Sequence, residues 1–367
     1  MVKKAYFIAS TGQHVGKTTT CLGLFAGLKK RFNRVGFLKP VGQEHVETDC
    51  GHHVDKDVIL FKDHFELTTP YEEMSPVLFP GGFTRDYLDG KISEKDLQSK
   101  ISTSFKSLEK EHDFILIEGT GHTGVGSIAN INNGQVAALL NTPVILVASG
   151  GLGSAFDELA LNKTLCEKHG AEVVGVILNR VLSEKREMVI EYMKKGLSRW
   201  GIPLVGCIPY DPFLSNPSMK DFEHLFKTML LTGASHRMRH FKQTRLVATT
   251  LDSYQDLIAP SQLTITPANR EDIILETLAK HWELKLRHPD LDLEAGFILT
   301  GDIPPKESLV EEIRKAEIPM LYTPVSNYIA MKMITSFTAK IRKEDVAKVK
   351  EAIDIVESHI DFTFFER

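Results

Sequence analysis

The 367-residue sequence predicts an α/β protein: a mostly parallel sheet covered by helices on both faces, followed by a smaller α/β domain. Three observations carry this. Short apolar runs rich in β-branched and aromatic residues alternate with amphipathic segments as far as about residue 210, the pattern of buried strands crossed over by helices. A glycine-containing loop joins the first apolar run to the first helical segment. After a stretch punctuated by Pro209, Pro212 and Pro217 the alternation restarts on a smaller scale.

Strands are expected at 6–9, 34–38, 114–118, 144–148, 173–178 and 205–208, with helices at 17–31, 94–111, 156–169 and 185–200. The second domain is expected to hold strands at 245–249, 263–266, 295–300 and 320–322. Its helices are expected at 272–281 and 306–316, with a long closing helix at 344–360. The domains are read as 1–222 and 223–367.

Charge and cysteine content narrow the function classes. Lys plus Arg is 44 and Asp plus Glu 48, a net charge of −4, which argues against a chain built to coat nucleic acid or an anionic membrane. The apolar run 5–9 is too short for a signal-peptide core, and no stretch of 18 uncharged apolar residues occurs. The four cysteines, at 21, 50, 166 and 207, form no CxxC pair, so a reducing, cytoplasmic setting is expected.

The sharpest chemical signal follows the first strand: Ser10-Thr11-Gly12-Gln13-His14-Val15-Gly16-Lys17-Thr18-Thr19-Thr20. Amide groups of such a loop converge on an anion, and the helix that begins with Gly-Lys-Thr adds its positive end. Gly16 lets the backbone approach a phosphate, Lys17 reaches the terminal phosphates and the Thr18 hydroxyl is placed for Mg²⁺. The strict Walker pattern wants glycine where Thr11 stands; here the glycine is one residue later, at 12. The sheet is therefore expected to be P-loop NTPase-like. Lys39 lies just past the second strand, where open α/β sheets bind ligands. Glu118 ends the 114–118 strand at a position suited to a second metal contact, and the glycines from Gly119 to Gly126 leave room for a second substrate.

Taken together, the segments 11–18, Gly36-Phe37-Leu38-Lys39-Pro40-Val41 and Ile117-Glu118-Gly119 resemble dethiobiotin synthetase. The segments 118–127, 87–90, 208–212 and 265–274 are similar to the dethiobiotin-synthetase-like N-terminal region of long bacterial phosphate acetyltransferases, which is followed there by a DRTGG domain. That domain's signature reads Asn269-Arg270-Glu271-Asp272 here. The catalytic acetyltransferase domain of those enzymes would require a further stretch beyond Arg367, so acetyl transfer is not expected of this chain.

The resemblance implies residue roles. Thr11, Gly12, Gln13, His14, Val15, Gly16, Lys17, Thr18 and Thr19 would wrap the phosphates of ATP. Thr18, Asp57 and Glu118 would hold Mg²⁺, a hard ion suited to oxygen ligands. Lys17 and Lys39 would stabilise charge on a transferred phosphoryl group. Asn179 would read the adenine edge, with Pro209 and Asp211 near the base or ribose. In dethiobiotin synthetase the acceptor is a carbamate carboxylate, and the mixed anhydride closes a ring. This chain departs at Ser10, where the family loop begins with glycine. It departs again at Gly42-Gln43 and across the 119–127 loop, where the synthetase contacts its substrate.

Two functional classes follow: a Mg²⁺-dependent ATPase or ligase that phosphorylates a carboxylate or carbamate, and a nucleotide-sensing regulator of a partner enzyme. The expected partners are a nucleotide, a small acid or partner enzyme and a second copy of the chain, with no nucleic acid and no membrane. Residues 45–57 are rich in metal-ligand types but match no tight zinc spacing, and are read as a solvated loop carrying one Mg²⁺ ligand. The basic stretch 236–245 lacks interleaved aromatics and is read as a solvated linker. Gly-x-Ser-x-Gly is absent, so a hydrolase elbow is not supported. The second domain is read as a sensor or dimerisation module. Arg270 has two readings there, an anion ligand or a local bridge to Glu271 or Asp272, and Thr300-Gly301-Asp302 borders the same edge.

Overall fold

The computed structural model describes residues 4–48 and 51–367. The chain divides into two units, one made of 1–211 with 341–367 and the other of 212–340.

The first unit is built on six parallel strands: β1 (Lys4–Ser10), β2 (Val35–Leu38), β3 (Phe114–Glu118), β4 (Val144–Ser149), β5 (Val173–Val181) and β6 (Leu204–Pro209). Their order is β6-β5-β4-β1-β3-β2, so β1 lies between β3 and β4, and the chain reverses its direction of travel across the sheet on either side of it. Ligands bind at such switch points, beyond the carboxyl ends of the strands. Every residue of β2 and β3 is buried, as the unbroken apolar runs Val-Gly-Phe-Leu and Phe-Ile-Leu-Ile imply for strands covered on both faces. The covering helices include α1 (Lys17–Lys29), α2 (Lys56–Phe65), α3 (Glu94–Glu111), α4 (Gly153–Lys168) and α5 (Arg186–Ser198). Ser93 caps α3 by accepting from the Asp96 amide.

Two segments differ from the sequence reading. Residues 45–57 are not a solvated loop. His45–Glu47 pairs antiparallel with His53–Asp55, which leads directly into α2, while Asp49 and Cys50 lie outside the described residues. Burial of Val54 and Asp55 anchors this hairpin, and Phe61 of α2 stacks on Phe37 of β2 with ring centroids 3.8 Å apart.

The closing helix, Val346–Glu357, was expected with the second domain and instead packs on α1. The cause is a groove of two glycines one turn apart. A β-carbon on Gly23 would stand 2.3 Å from Val356 Cβ, and one on Gly27 would stand 2.1 Å from Phe362 Cζ. The tail then bridges β6 at Gly206–Ile360, and the Asp361 amide donates to the Val205 carbonyl at 2.9 Å. Because α1 is enclosed on several sides, its sequence shows almost no amphipathic bias.

The second unit is a five-stranded mixed sheet: β7 (Leu230–Thr232), β8 (Gln243–Leu246), β9 (Gln262–Pro267), β10 (Gly296–Thr300) and β11 (Met320–Thr323), in the order β7-β11-β10-β9-β8. Only β7 runs antiparallel to its neighbour. One face buries Leu263, Ile265, Ile298 and Leu321 against Phe222, Ala330 and Ile334. The other packs Phe297, Leu299 and Met320 against α6 (Glu271–Arg287) and α7 (Glu307–Lys315) through Ile274, Leu278, Leu309 and Ile313. The basic stretch is not a solvated linker. Arg237 pairs with Glu223, Arg239 reaches Asp292 at 2.5 Å, and residues 243–246 form the edge strand β8, slightly earlier than the expected 245–249. Arg270 makes a bidentate bridge to Asp272, 2.8 Å at each contact, which is the local alternative of its two readings.

Candidate functional site

The loop from Thr11 to Gly16 connects the carboxyl end of β1 to α1. Thr11 is buried and held from three directions. Its amide donates to Val147, its hydroxyl donates to Glu158 Oε2 at 2.9 Å, and Asn162 of α4 donates to its carbonyl at 3.2 Å. Gln13 and His14 are exposed, Gly12 is half-buried and Val15 is buried. His14 and Gly16 adopt left-handed conformations, with φ of 59° and 87°. At Gly16 the requirement is steric as well as conformational, since a β-carbon would stand 2.1 Å from Asn179 Nδ2. That same Nδ2 donates to the Val15 carbonyl at 2.8 Å. The neighbouring Arg180, itself at φ 61°, donates to the His14 carbonyl at 3.2 Å.

Below the loop, five side chains from four elements meet. Lys17 and Thr18 open α1, Lys39 follows β2, Asp57 lies in the first turn of α2 and Glu118 ends β3. Lys39 Nζ sits between the two carboxylates, 2.6 Å from Asp57 Oδ2 and 2.9 Å from Glu118 Oε1. The Thr18 hydroxyl donates to the same Glu118 oxygen at 2.9 Å and lies 3.4 Å from Asp57 Oδ2. Lys17 Nζ donates to the Gly121 carbonyl at 2.8 Å, folding back onto the glycine-rich loop after β3. Thr19 is half-buried alongside.

The electrostatics follow from this packing. Burial, with Lys39 beside it, lowers Lys17 to about 8. Burial also works against the charge on Lys39, but Asp57 and Glu118 outweigh it and hold that ammonium well above the usual lysine range. Burial raises Glu118, whereas at Asp57 the opposing effect of Lys39 wins and the carboxyl is lowered. Asp55, buried behind Asp57, is pushed up to about 7, chiefly by desolvation.

The donor set suits Mg²⁺. Glu118 Oε2 is fully buried and has no hydrogen-bond partner, a costly condition for a carboxylate oxygen unless a cation or ordered water completes it. With Thr18 and Asp57 it makes a set of hard oxygen donors, the type Mg²⁺ selects. Among the described residues, no group of three His, Cys, Asp or Glu side chains is placed to hold a metal ion.

The three residues assigned to base and ribose lie at the ends of β5 and β6. Asn179 is buried, and its side chain is already engaged with Val15 and, through Oδ1, with the Arg180 amide at 2.9 Å. Pro209 is the last residue of β6 and Asp211 follows it; both are half-buried.

Sequence reasoning missed several residues that shape the site. Asp55 caps α2 by accepting from the Asp57 amide at 3.0 Å, and its other oxygen accepts from the Gln43 amide at 3.1 Å. The pattern Asp55-Lys56-Asp57 ahead of an apolar run is a helix-start signature that would have exposed this role. Ser10 Oγ contacts the Gly12 and Gly121 carbonyls, and Thr123 Oγ1 donates to the Ser10 carbonyl at 3.0 Å, tying the two loops together. Asn133 accepts from the Thr120 amide and donates to the Thr120 and His122 carbonyls, each at 3.0 Å. No local sequence pattern marks these cross-loop contacts.

A parallel sheet whose central strand runs into a glycine loop and a helix headed by Lys17 and Thr18 defines a P-loop NTPase domain, the class to which nucleotide binding belongs. The chain belongs to the AAA_26 family, an AAA domain whose model matches residues 4–218, and a DRTGG domain model matches residues 223–337. Among curated proteins it is similar to phosphate acetyltransferase of Nitratidesulfovibrio vulgaris, 27% identical over 364 residues, covering 97% of this chain and 50% of the relative. It is also similar to the ATP-dependent dethiobiotin synthetase BioD of Bacillus subtilis, 26% identical over 227 residues, covering 61% of this chain and 94% of that protein. The chain thus spans about half the length of the phosphate acetyltransferases it matches. A solved structure of the MinD cell division protein of Aquifex aeolicus matches 57% of this chain and 84% of that chain at 18% identity, with a TM-score of 0.36. The regulatory CBS and DRTGG domains of Clostridium perfringens pyrophosphatase match 41% of this chain and 70% of that one at 13% identity, with a TM-score of 0.28. No helix among the described residues is long and apolar enough to cross a membrane.

Proposed function

We propose that this chain binds ATP with Mg²⁺ at the 11–18 loop and transfers the terminal phosphoryl group to a carboxylate or carbamate acceptor. The observation that carries the reading is the convergence of Lys17, Thr18, Lys39, Asp57 and Glu118 beside the glycine loop between β1 and α1. Lys17 and the loop amides would hold the phosphates. Thr18, Asp57 and Glu118 would hold Mg²⁺, which supplies charge neutralisation at the phosphate oxygens when bound. Lys39, buried between Asp57 and Glu118, would stabilise charge on the transferred group and orient an acidic acceptor. Asn179, Pro209 and Asp211 would border the adenosine. The similarity to an ATP-dependent dethiobiotin synthetase supports the choice of acceptor class.

One feature favours a second reading, a nucleotide sensor acting on a partner enzyme. Both lysines are satisfied by the protein itself, Lys17 by the Gly121 carbonyl and Lys39 by the carboxylate pair. Loading of Mg²⁺ and triphosphate must rearrange these contacts, which links occupancy to loop position. Titration calorimetry with ATP and Mg²⁺ on the full chain tests the shared claim. Wild type is expected to bind and Lys17→Ala to lose at least about tenfold in affinity, the cost of a charge-assisted contact. Equal binding by both proteins, or none by wild type, rejects the site. Phosphate release measured with a panel of small carboxylates separates the two readings: acid-stimulated turnover supports transfer, and tight binding at background turnover supports sensing.

A further inference from the structure

Helix α6 carries two apolar faces, and only one is used. Ile273, Ile274, Thr277, Leu278 and His281 are buried in the second unit. On another side Leu275, Ala279, Trp282 and Leu286 stand exposed, with Leu275 at 47%, Trp282 at 40% and Leu286 at 85%. Their spacing of four, three and four residues places all four on a single stripe, the spacing of a helix-pairing seam. A solvent-facing helix surface has no need of this pattern.

We infer that this stripe pairs antiparallel with the same stripe of a second copy of the chain. The sequence is self-complementary about its centre. Reversing the helix around the midpoint between residues 280 and 281 sets Leu275 opposite Leu286 and Ala279 opposite Trp282, so the smallest residue of the stripe faces the largest. A two-fold interface demands this relation, in which residue i meets j and j meets i. The charges obey the same operation. Glu271, Asp272 and Glu276 lie in the first half of the helix, and Lys285 and Arg287 in the second, with Glu283 the one acid among them and Lys280 beside the midpoint. Antiparallel pairing therefore lays the acidic half of each helix on the basic half of the other and opposes the two helix dipoles. A parallel pair would stack like charges and set Leu275 against Leu275. The stripe is thus an interface between copies, independent of the nucleotide reading of the first unit.

Light scattering and disulfide trapping of the full chain, without nucleotide, test this. Wild type is expected to show twice the monomer mass with dissociation on the order of micromolar, typical of a small interface. Leu286→Glu, at an exposed position, is expected to be monomeric with unchanged circular dichroism. For trapping, Cys50→Ser is present in every chain. A mixture of Leu275→Cys and Leu286→Cys chains is expected to form a covalent dimer on mild oxidation, whereas Leu275→Cys alone is not, because the two copies of residue 275 lie at opposite ends of the seam. A monomeric wild type overturns the inference, as does a dimer that survives Leu286→Glu or a crosslink formed by Leu275→Cys alone. A helical partner of other origin, or a further domain covering the stripe, corresponds to the monomeric outcome.

Discussion

Asn179 Nδ2 occupies the space that a side chain on Gly16 would need, and from there it donates to the carbonyl of Val15 at 2.8 Å. The end of β5 thus holds the phosphate loop from behind, and the glycine at 16 and the asparagine at 179 are one steric unit. Gly16→Ala is expected to destabilise the chain by about 1–3 kcal/mol through the left-handed backbone and the clash, and to abolish nucleotide binding. Adding Asn179→Ala removes the clash, so the double variant is expected to be more stable than the sum of the single changes predicts. A double-mutant cycle by urea denaturation reads this; strict additivity would show the two residues to be uncoupled.

Lys39 bridges Asp57 and Glu118. Removing it leaves two buried carboxylates without the cation that bridges them. Lys39→Ala is expected to cost about 3–5 kcal/mol in the absence of divalent ions. Mg²⁺ alone should then raise its melting temperature, with little effect on wild type. Thermal melts with and without Mg²⁺ check this, and an equal response of both proteins argues against the carboxylate pair as the metal seat.

Asp55 contributes through helix geometry. It caps α2 and accepts from Gln43, so it sets the direction in which Asp57 leaves the first turn. Asp55→Ala is expected to lose about 1–2 kcal/mol, and Asp55→Asn to retain most of that stability, since an amide oxygen also caps. Chemical denaturation of the two variants tests this; equal losses would mean that the carboxylate charge matters more than the cap.

In the second unit Asp292 is held well below the usual carboxylate range by the His281 ring, the Glu294 amide and Arg239. The sign follows from linkage. A carboxyl with a lowered folded-state pKa stabilises fully above its unfolded value and loses that stabilisation as the pH falls through and below it. Asp292→Asn is therefore expected to be less stable than wild type at pH 7 by about 1–3 kcal/mol, with the gap closing below about pH 4. Melts across this range that keep a constant gap would contradict the assignment.

The site was legible where chemistry is local. The run from Gly12 to Thr18, Lys39 after a strand and Glu118 at a strand end each announce themselves, because a phosphate cradle and a strand-end ligand need particular residues at particular offsets. Asp57 was reached only by resemblance, inside a segment that looked like solvated loop, because a three-residue hairpin leaves almost no periodicity to read. Ser10, Thr123 and Asn133 stayed hidden because each acts on the backbone of a distant loop, and side-chain-to-carbonyl bonds leave no pattern along the chain.

By itself the sequence determined the alternation of buried strands and helices, the phosphate loop and the existence of a second α/β unit. Those features depend on periodicity and short motifs, which act between near neighbours. Tertiary structure alone decided that the closing helix packs on α1, that the basic stretch is pinned by Glu223 and Asp292, and that Lys39 lies between two carboxylates. Such outcomes depend on which surfaces find complementary shape and charge between segments that meet only when the chain folds. No periodicity or short motif along the chain marks which residues will be partners.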